Sequence, residues 1–256
     1  MTSSWRWACA RSIGTSHMKT DTRCEDFAGA KLFIRPEGPI IAAVVSDGAG
    51  SASHAEVGSK LVCLSFLRAC REFLVSKPLE ELVEEDVWHW LDEIREALNA
   101  KANAKALRPR DFASTMVAVL ASPQTSIVIH IGDGAAVWKK AGSDGWEVPS
   151  WPYHGEYAST TAFVTDDPQA KLNYLRINEA IDEFALFSDG IERLVLEQAT
   201  QSAHAPFFNR MLAPLKGSLV EGPDRGLSAA LKDYLDSPSV CDRTDDDKSL
   251  ILGVRT

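Results

Sequence analysis

From Pro39 to Gly50 the chain reads Pro-Ile-Ile-Ala-Ala-Val-Val-Ser-Asp-Gly-Ala-Gly, an apolar run that stops on a carboxylate. Ile40 to Val45, with its β-branched members, fits a strand covered on both faces. Three later segments repeat the pattern: Phe184 to Gly190, Ile127 to Gly134, and Asp246-Asp247-Lys248-Ser249 opening the run Leu250 to Val254. Asp47, Asp133, Asp189 and Asp246 thus each stand at a strand end. An Asp-Gly pair alone is an ordinary turn signal. The set suggests acidic side chains gathered at one rim of a β core, the way proteins hold hard cations. Two carboxylates about 5 Å apart, at an effective dielectric near 20, repel by roughly 3 kcal/mol. Several such pairs rival the ~5–15 kcal/mol net stability of a domain. If the rims converge, a divalent cation is required.

The 256 residues are 45% hydrophobic, enough for a sizeable core, and the net charge of −9 argues against nucleic acid or an anionic membrane as partner. No apolar stretch reaches the ~18 residues of a membrane span, and the charged start Met1 to Arg11 lacks the apolar region of a signal peptide. Five scattered cysteines without Cys-x-x-Cys spacing fit a reducing cytoplasm and argue against zinc.

Trp5, Trp7 and Cys9 predict a first strand, Gly14 to Lys19 a loop, and Phe27 to Ile34 a second strand. Glu25 and Asp26, as neighbours on a strand, would point to opposite faces. Ser53-His54-Ala-Glu56 has capping-box spacing and predicts a helix with Val57, Leu61, Leu64, Leu67, Cys70 and Leu74 inward, ended by Pro78. A second helix is expected over Asp86 to Ala102. Ser114 to Leu120, Ser126 to Ile131 and Ala135 to Lys139 predict an antiparallel meander. Arg108-Pro-Arg110 before it reads as a solvated loop or an anion contact. Gly155 to Val164 and Phe184 to Phe187 add strands, Pro206 to Leu215 and Asp224 to Tyr234 helices, and Leu250 to Val254 a closing strand. No linker divides this succession, which predicts one α+β layered domain over residues 1–256.

The ordered set Glu25-Asp26, Ser46-Asp47-Gly48-Ala49-Gly50, Ser114-Thr115, Gly132-Asp133-Gly134, Ser188-Asp189-Gly190 and Asp246-Asp247-Lys248-Ser249 resembles the metal-dependent protein phosphatase 2C family, in a compact bacterial branch. The resemblance implies a β-sandwich of two antiparallel sheets flanked by helix pairs, with a binuclear Mg²⁺ or Mn²⁺ centre at one end. It implies a cytoplasmic serine/threonine phosphatase that hydrolyses phosphomonoesters with a metal-activated water and acts on phosphoproteins, beside a cognate kinase or its target. By motif, Asp47 bridges both metals with the Gly48 carbonyl on one; Asp189 and Asp246 bind the other. Glu25 and Asp26 hold water around the metals, and Asp133 with Asp189 forms a weaker third site. Oxygen ligands suit these ions, and two ions about 3.5–4 Å apart can activate water and clamp phosphoryl oxygens.

The chain departs from the family at Ala49, where many members carry His or Met, and at Asp21, where they carry a phosphate-gripping Arg. His17, Lys19 or Arg23 can supply that charge. These departures keep open the alternative of a weak or silent phosphatase-like binding module. A haloacid-dehalogenase-type hydrolase is disfavoured, because Asp47-Gly48-Ala49 lacks the second acid of Asp-x-Asp.

Overall fold

A computed structural model describes residues 4–155 and 161–256. Its strands are β1 (Trp5–Ser12), β2 (Phe27–Arg35), β3 (Gly38–Ser46), β4 (Met116–Ala121), β5 (Ser126–Ile131), β6 (Ala135–Lys140), β7 (Glu147–Ser150), β8 (Asn173–Ile177), β9 (Ile181–Phe187), the short β10 (Leu196–Glu197), β11 (Ser202–Ala203) and β12 (Gly222–Pro223), and β13 (Lys248–Arg255). The helices are α1 (Thr15–Thr20), α2 (Ala55–Ser76), α3 (Glu84–Ala104), α4 (Glu192–Val195), α5 (Ala205–Gly217), α6 (Arg225–Leu235) and α7 (Pro238–Cys241). One sheet runs β2-β3-β4-β5-β8 and the other β12-β1-β13-β9-β6-β7; both are antiparallel apart from the two-residue β1–β12 contact.

Alternation along β3 shows why its apolar run is continuous. Ile40, Ala42 and Val44 pack with Val62, Phe66 and Leu91 of α2 and α3, whereas Ile41, Ala43 and Val45 pack with Trp138, Phe184 and Ile251 of the opposite sheet. On β13, Leu250, Leu252 and Val254 turn outward to Phe208, Leu212 and Leu231 of α5 and α6. Each sheet therefore buries both faces, and the layers stack helix, sheet, sheet, helix.

Antiparallel register brings the motif-bearing strand ends to one rim. Phe27 pairs with Ser46, Val45 with Val117, and Met116 with Ile131, which aligns Glu25-Asp26, Asp47, Thr115 and Asp133. In the second sheet Phe187 lies opposite both Ala135 and Leu250, and Ser12 opposite Lys248. That adds Asp189, Asp246 and the chain leading to His17.

Five local expectations are corrected. β5 and β6 do not continue one meander. Gly132 turns at φ +116, and β6 joins β9 and β7 in the other sheet. Only glycine takes that backbone conformation readily, and a Cβ there would meet Thr115 Cγ2 at 2.5 Å. Gly14 to Lys19 is not all loop, since α1 forms there, tied by Ser16 N–H to the Asp245 carbonyl at 2.9 Å. The capping box is absent: α2 starts after His54 without a side-chain cap. Cys70 and Leu74 face inward as expected, but the rest of the inward face is Ala55, Gly58, Val62, Cys63, Phe66 and Ala69, and Leu64 is exposed; small residues fill the first turns, where the helix passes close to Phe112. A Cβ on Gly58 would reach the Phe112 carbonyl oxygen at 2.1 Å. Within the strand expected over Gly155 to Val164, residues 156–160 lie outside the described residues and Thr161 to Val164 are not strand.

This placement separates two α2 residues of similar hydrophobicity. Phe66→Ala is expected to cost about 3–5 kcal/mol in urea unfolding, and Leu64→Ala less than about 0.5 kcal/mol. Equal losses would show that the helix is rotated from the face described.

Candidate functional site

Carboxylate oxygens of Asp47, Asp133 and Asp189 lie within 4.8 Å of one another. Each comes from a different strand exit: Asp47 after β3, Asp133 between β5 and β6, Asp189 after β9. They line a cavity of about 340 Å³ together with His17, Glu25, Gly48 and Asp246. Asp26 sits behind it, fully buried, its Oδ2 accepting a hydrogen bond from Ser188 Oγ at 2.7 Å.

The loop carrying Asp47 is held by a ladder to the segment before β4. Thr115 Oγ1 accepts from Asp47 N–H at 3.0 Å, and Thr115 N–H donates to the Asp47 carbonyl at 2.8 Å. Ala49 N–H donates to Ala113 O, and His54 N–H to Asp111 O. At the β9 exit, a Cβ on Gly190 would lie 1.9 Å from the Asp247 carbonyl oxygen, so glycine lets the Asp189 and Asp246 segments touch. Asp247 is a clamp: its carboxylate accepts N–H bonds from Gly14 at 2.6 Å and Glu25 at 2.5 Å, and lies 3.0 Å from His17 Nδ1.

The electrostatics fit a site that awaits positive charge. Burial first, then Asp26 and Asp189, pushes the Asp47 carboxyl well up. Burial, then Asp133 and Asp246, raises Asp189 to about 7. Burial raises Asp26 to about 6 despite the bonds it accepts, and Glu25 to about 7 against the favourable His17. Asp133 and Asp246 rise too, mainly through burial. Burial opposes His17 protonation, but Asp247 with Glu25 and Asp246 outweighs it and raises that imidazole. Oδ1 of Asp26, Asp133 and Asp189 is buried without a hydrogen-bond partner among the described residues. An all-oxygen donor set with unsatisfied oxygens suits Mg²⁺ or Mn²⁺.

Of the residues singled out by sequence, Asp47, Gly48, Asp133, Asp189, Asp246, Glu25 and His17 meet at this cavity, with Asp26 beneath it. Arg23 does not; its side chain is 83% exposed and pairs with Glu56 at 3.3 Å. Ala49 lines the cavity with a methyl group only. Sequence reading missed Thr161 and Phe163 on the same wall, and His154 with Glu192, 3.3 Å apart, in an adjoining cavity of about 530 Å³. Glu192 follows Asp189 by three positions, a weak signal; His154 lies in a loop with no periodicity to mark it.

The family model for protein phosphatase 2C matches residues 13–236. Serine/threonine-protein phosphatase 3 of Escherichia coli (strain K12) is 35% identical over 255 residues, covering 98% of both chains. Among solved structures, PppA, a regulatory component of the type VI secretion system in Pseudomonas aeruginosa, superposes with a TM-score of 0.63 at 17% identity over 100% of both chains. The catalytic domain of the serine/threonine protein phosphatase PstP, solved with two manganese ions, gives 0.61 at 16% identity, again over 100% of both chains. At these identities the structural likeness is one of fold.

The raised carboxyls set the sign of a pH effect in the metal-free protein. A folded-state pKa above the unfolded value means the folded state binds more protons between about pH 4 and 7, so these groups destabilise as pH rises through that window. In EDTA, Asp189→Asn is therefore expected to be more stable than the parent at pH 8, by on the order of 2–4 kcal/mol, with the difference shrinking towards pH 4–5. Chemical denaturation across pH reads it. A variant less stable than the parent at pH 8 would remove the repulsion argument.

Proposed function

The chain belongs to the protein phosphatase 2C family, and on that premise we propose that it is a serine/threonine protein phosphatase acting on phosphomonoesters at the acidic rim. The observation that carries the reading is the convergence of Asp47, Asp133 and Asp189 within 4.8 Å from three strand exits. When bound, two Mg²⁺ or Mn²⁺ ions supply the Lewis acidity that makes water a nucleophile at neutral pH and offsets phosphoryl charge.

Asp47 would hold both ions, with the Gly48 carbonyl beside it, and Asp189 and Asp246 the second; Asp133 with Asp189 could take a third. Glu25 and Asp26 would orient water around them. No side-chain nucleophile is needed. His17 is the side chain among the described residues lining the cavity that can carry positive charge, and its contact with Asp247, 3.0 Å from Nδ1, orients the ring. Arg23, held by Glu56 at the surface, is not part of the lining and takes no role in this reading.

The substrate is a phosphoprotein, and a serine/threonine kinase supplies it. The site of action is cytoplasmic, in keeping with cysteines that are all free thiols. Among the described residues no helix is long and apolar enough to cross a membrane. The chain works as one domain, its closing strand lying between β1 and β9.

The test is hydrolysis of para-nitrophenyl phosphate and phosphoserine peptides with Mn²⁺, Mg²⁺ or EDTA. Activity is expected only with the ions, and full activity in excess EDTA would overturn the reading. Asp47→Ala and Asp189→Ala should lose turnover and the metal-induced thermal shift together; saturation at ~100 times Kd stabilises the parent by about 2.7 kcal/mol.

Ala49 generates a second expectation. A serine alkoxide leaving group needs a proton, whereas a phenolate leaves readily, and general acid assistance is typically worth about 10²–10⁴-fold. Ala49→His should raise the phosphopeptide rate more than the aryl phosphate rate. An equal effect on both would show that proton delivery does not pass through this position.

A further inference from the structure

Away from the acidic rim, three arginines gather at another cavity. Arg95 on α3 and Arg108 and Arg110 on either side of Pro109 line a cavity of about 460 Å³ with Asn99, Thr165 and Asp167. The lining holds three arginines and one carboxylate, Asp167, in a chain of net charge −9. The turn is fixed: Asp111 Oδ2 accepts the Arg108 backbone N–H at 2.9 Å, and Phe112 is wholly buried. Arg95 Nη2 donates to the Asp166 carbonyl at 2.9 Å, which orients the guanidinium while its other N–H groups make no hydrogen bond among the described residues. The Asp166 carboxylate is occupied by the Phe163 N–H at 2.8 Å. Arg110 has no ion pair among the described residues, and the nearest carboxylate to Arg108 is Asp111, at 3.7 Å.

This cavity and the acidic one share two chain segments. Phe163 and Thr115 line the acidic cavity; Thr165 and Arg110 line the basic one. Val164 N–H donates to the Ser114 carbonyl at 2.9 Å, locking the segments together. At ~3.3–3.6 Å per residue, the two chain paths span at most about 7 Å and 18 Å. An extended peptide with its phosphorylated residue at the acidic rim would then carry a residue two to five places away over the arginines.

We propose that the Arg95–Arg108–Arg110 cavity is a docking subsite for acidic side chains of the phosphopeptide substrate, giving a preference for acidic sequences. The inference rests on the phosphatase reading of the acidic rim. Arginine suits it because its fixed fork of donors matches carboxylate geometry. A small patch on an acidic surface fits a short anionic segment and not a long polyanion such as nucleic acid, which the remaining surface would repel.

The experiment compares KM and kcat for matched phosphoserine peptides bearing Glu or Gln two to five places to either side, with para-nitrophenyl phosphate reporting on the rim alone. The parent is expected to show a KM about fivefold to tenfold lower for one Glu peptide than for its Gln counterpart, a preference that fades with salt. Arg108→Glu with Arg110→Glu should erase or invert that preference, leaving kcat and aryl phosphate hydrolysis unchanged. Arg108→Gln with Arg110→Gln should erase it without inversion, and serves if the doubly reversed protein does not fold. An unchanged Glu-to-Gln ratio in the variants, or no preference in the parent, overturns the proposal. If the parent hydrolyses nothing, the phosphatase reading has failed. Fluorescence anisotropy of a labelled Glu peptide then decides the subsite: binding lost in the variant supports it, while binding retained or absent from the parent overturns it.

Discussion

Carboxylates held a few ångströms apart behind a protein surface repel, and nothing in this rim except its framework keeps them there. Hydrogen bonds alone do not offset the charge, since Asp26, Asp133 and Asp189 each keep a buried oxygen without a partner among the described residues. The restraint is geometric. Two antiparallel sheets place the exits of β3, β5 and β9 and the entry of β13 at one end. A side chain one or two residues beyond each strand therefore has little choice of neighbourhood. The repulsion, roughly 3 kcal/mol per close pair, is set against strands buried on both faces.

The same logic explains the weight of Asp247. It stands next to Asp246 but is fully engaged, taking backbone N–H groups from Gly14 and Glu25 and lying against His17. An acid that binds protein donors cannot also offer its oxygens to a cation with full freedom. The pair Asp246-Asp247 divides the work, one acid open to the cavity and one closing the N-terminal segment onto β13. Folding of that segment and assembly of the rim are thus coupled, and any cation that binds the rim stabilises both.

The acidic rim was legible in sequence because an apolar run ending in Asp is a local pattern, and antiparallel pairing needs no further information to align four such ends. What was illegible depended on non-local contact. Gly132 sends β6 to the other sheet through a positive φ that Gly-Asp-Gly alone does not distinguish from a hairpin. The buried face of α2 begins with Ala55 and Gly58 because Phe112 approaches there, and no periodicity in α2 records its neighbour. His17, Lys19 and Arg23 were equal candidates for a cation at the site, and of these only His17 lines the cavity among the described residues. The α1 turn and Asp247 aim it inward, and Glu56 holds Arg23 at the surface.

One segment, residues 108–115, ties these threads together. Its arginines face outward, Phe112 anchors it in the core, and Thr115 holds Asp47. Charge of both signs is thereby fixed on one rigid strip. The cavity at its inner end is lined by Glu25, Asp47, Asp133, Asp189 and Asp246 against His17. A phosphate dianion entering that lining alone would meet like charge, at roughly 3 kcal/mol for each carboxylate about 5 Å away. On the phosphatase reading, cation binding and phosphate binding must therefore be linked, each strengthening the other by the same factor. The arginines at the outer end lie apart from that linkage. They can attract an acidic substrate whether or not the rim is charged, while the rim alone decides whether its phosphate can enter.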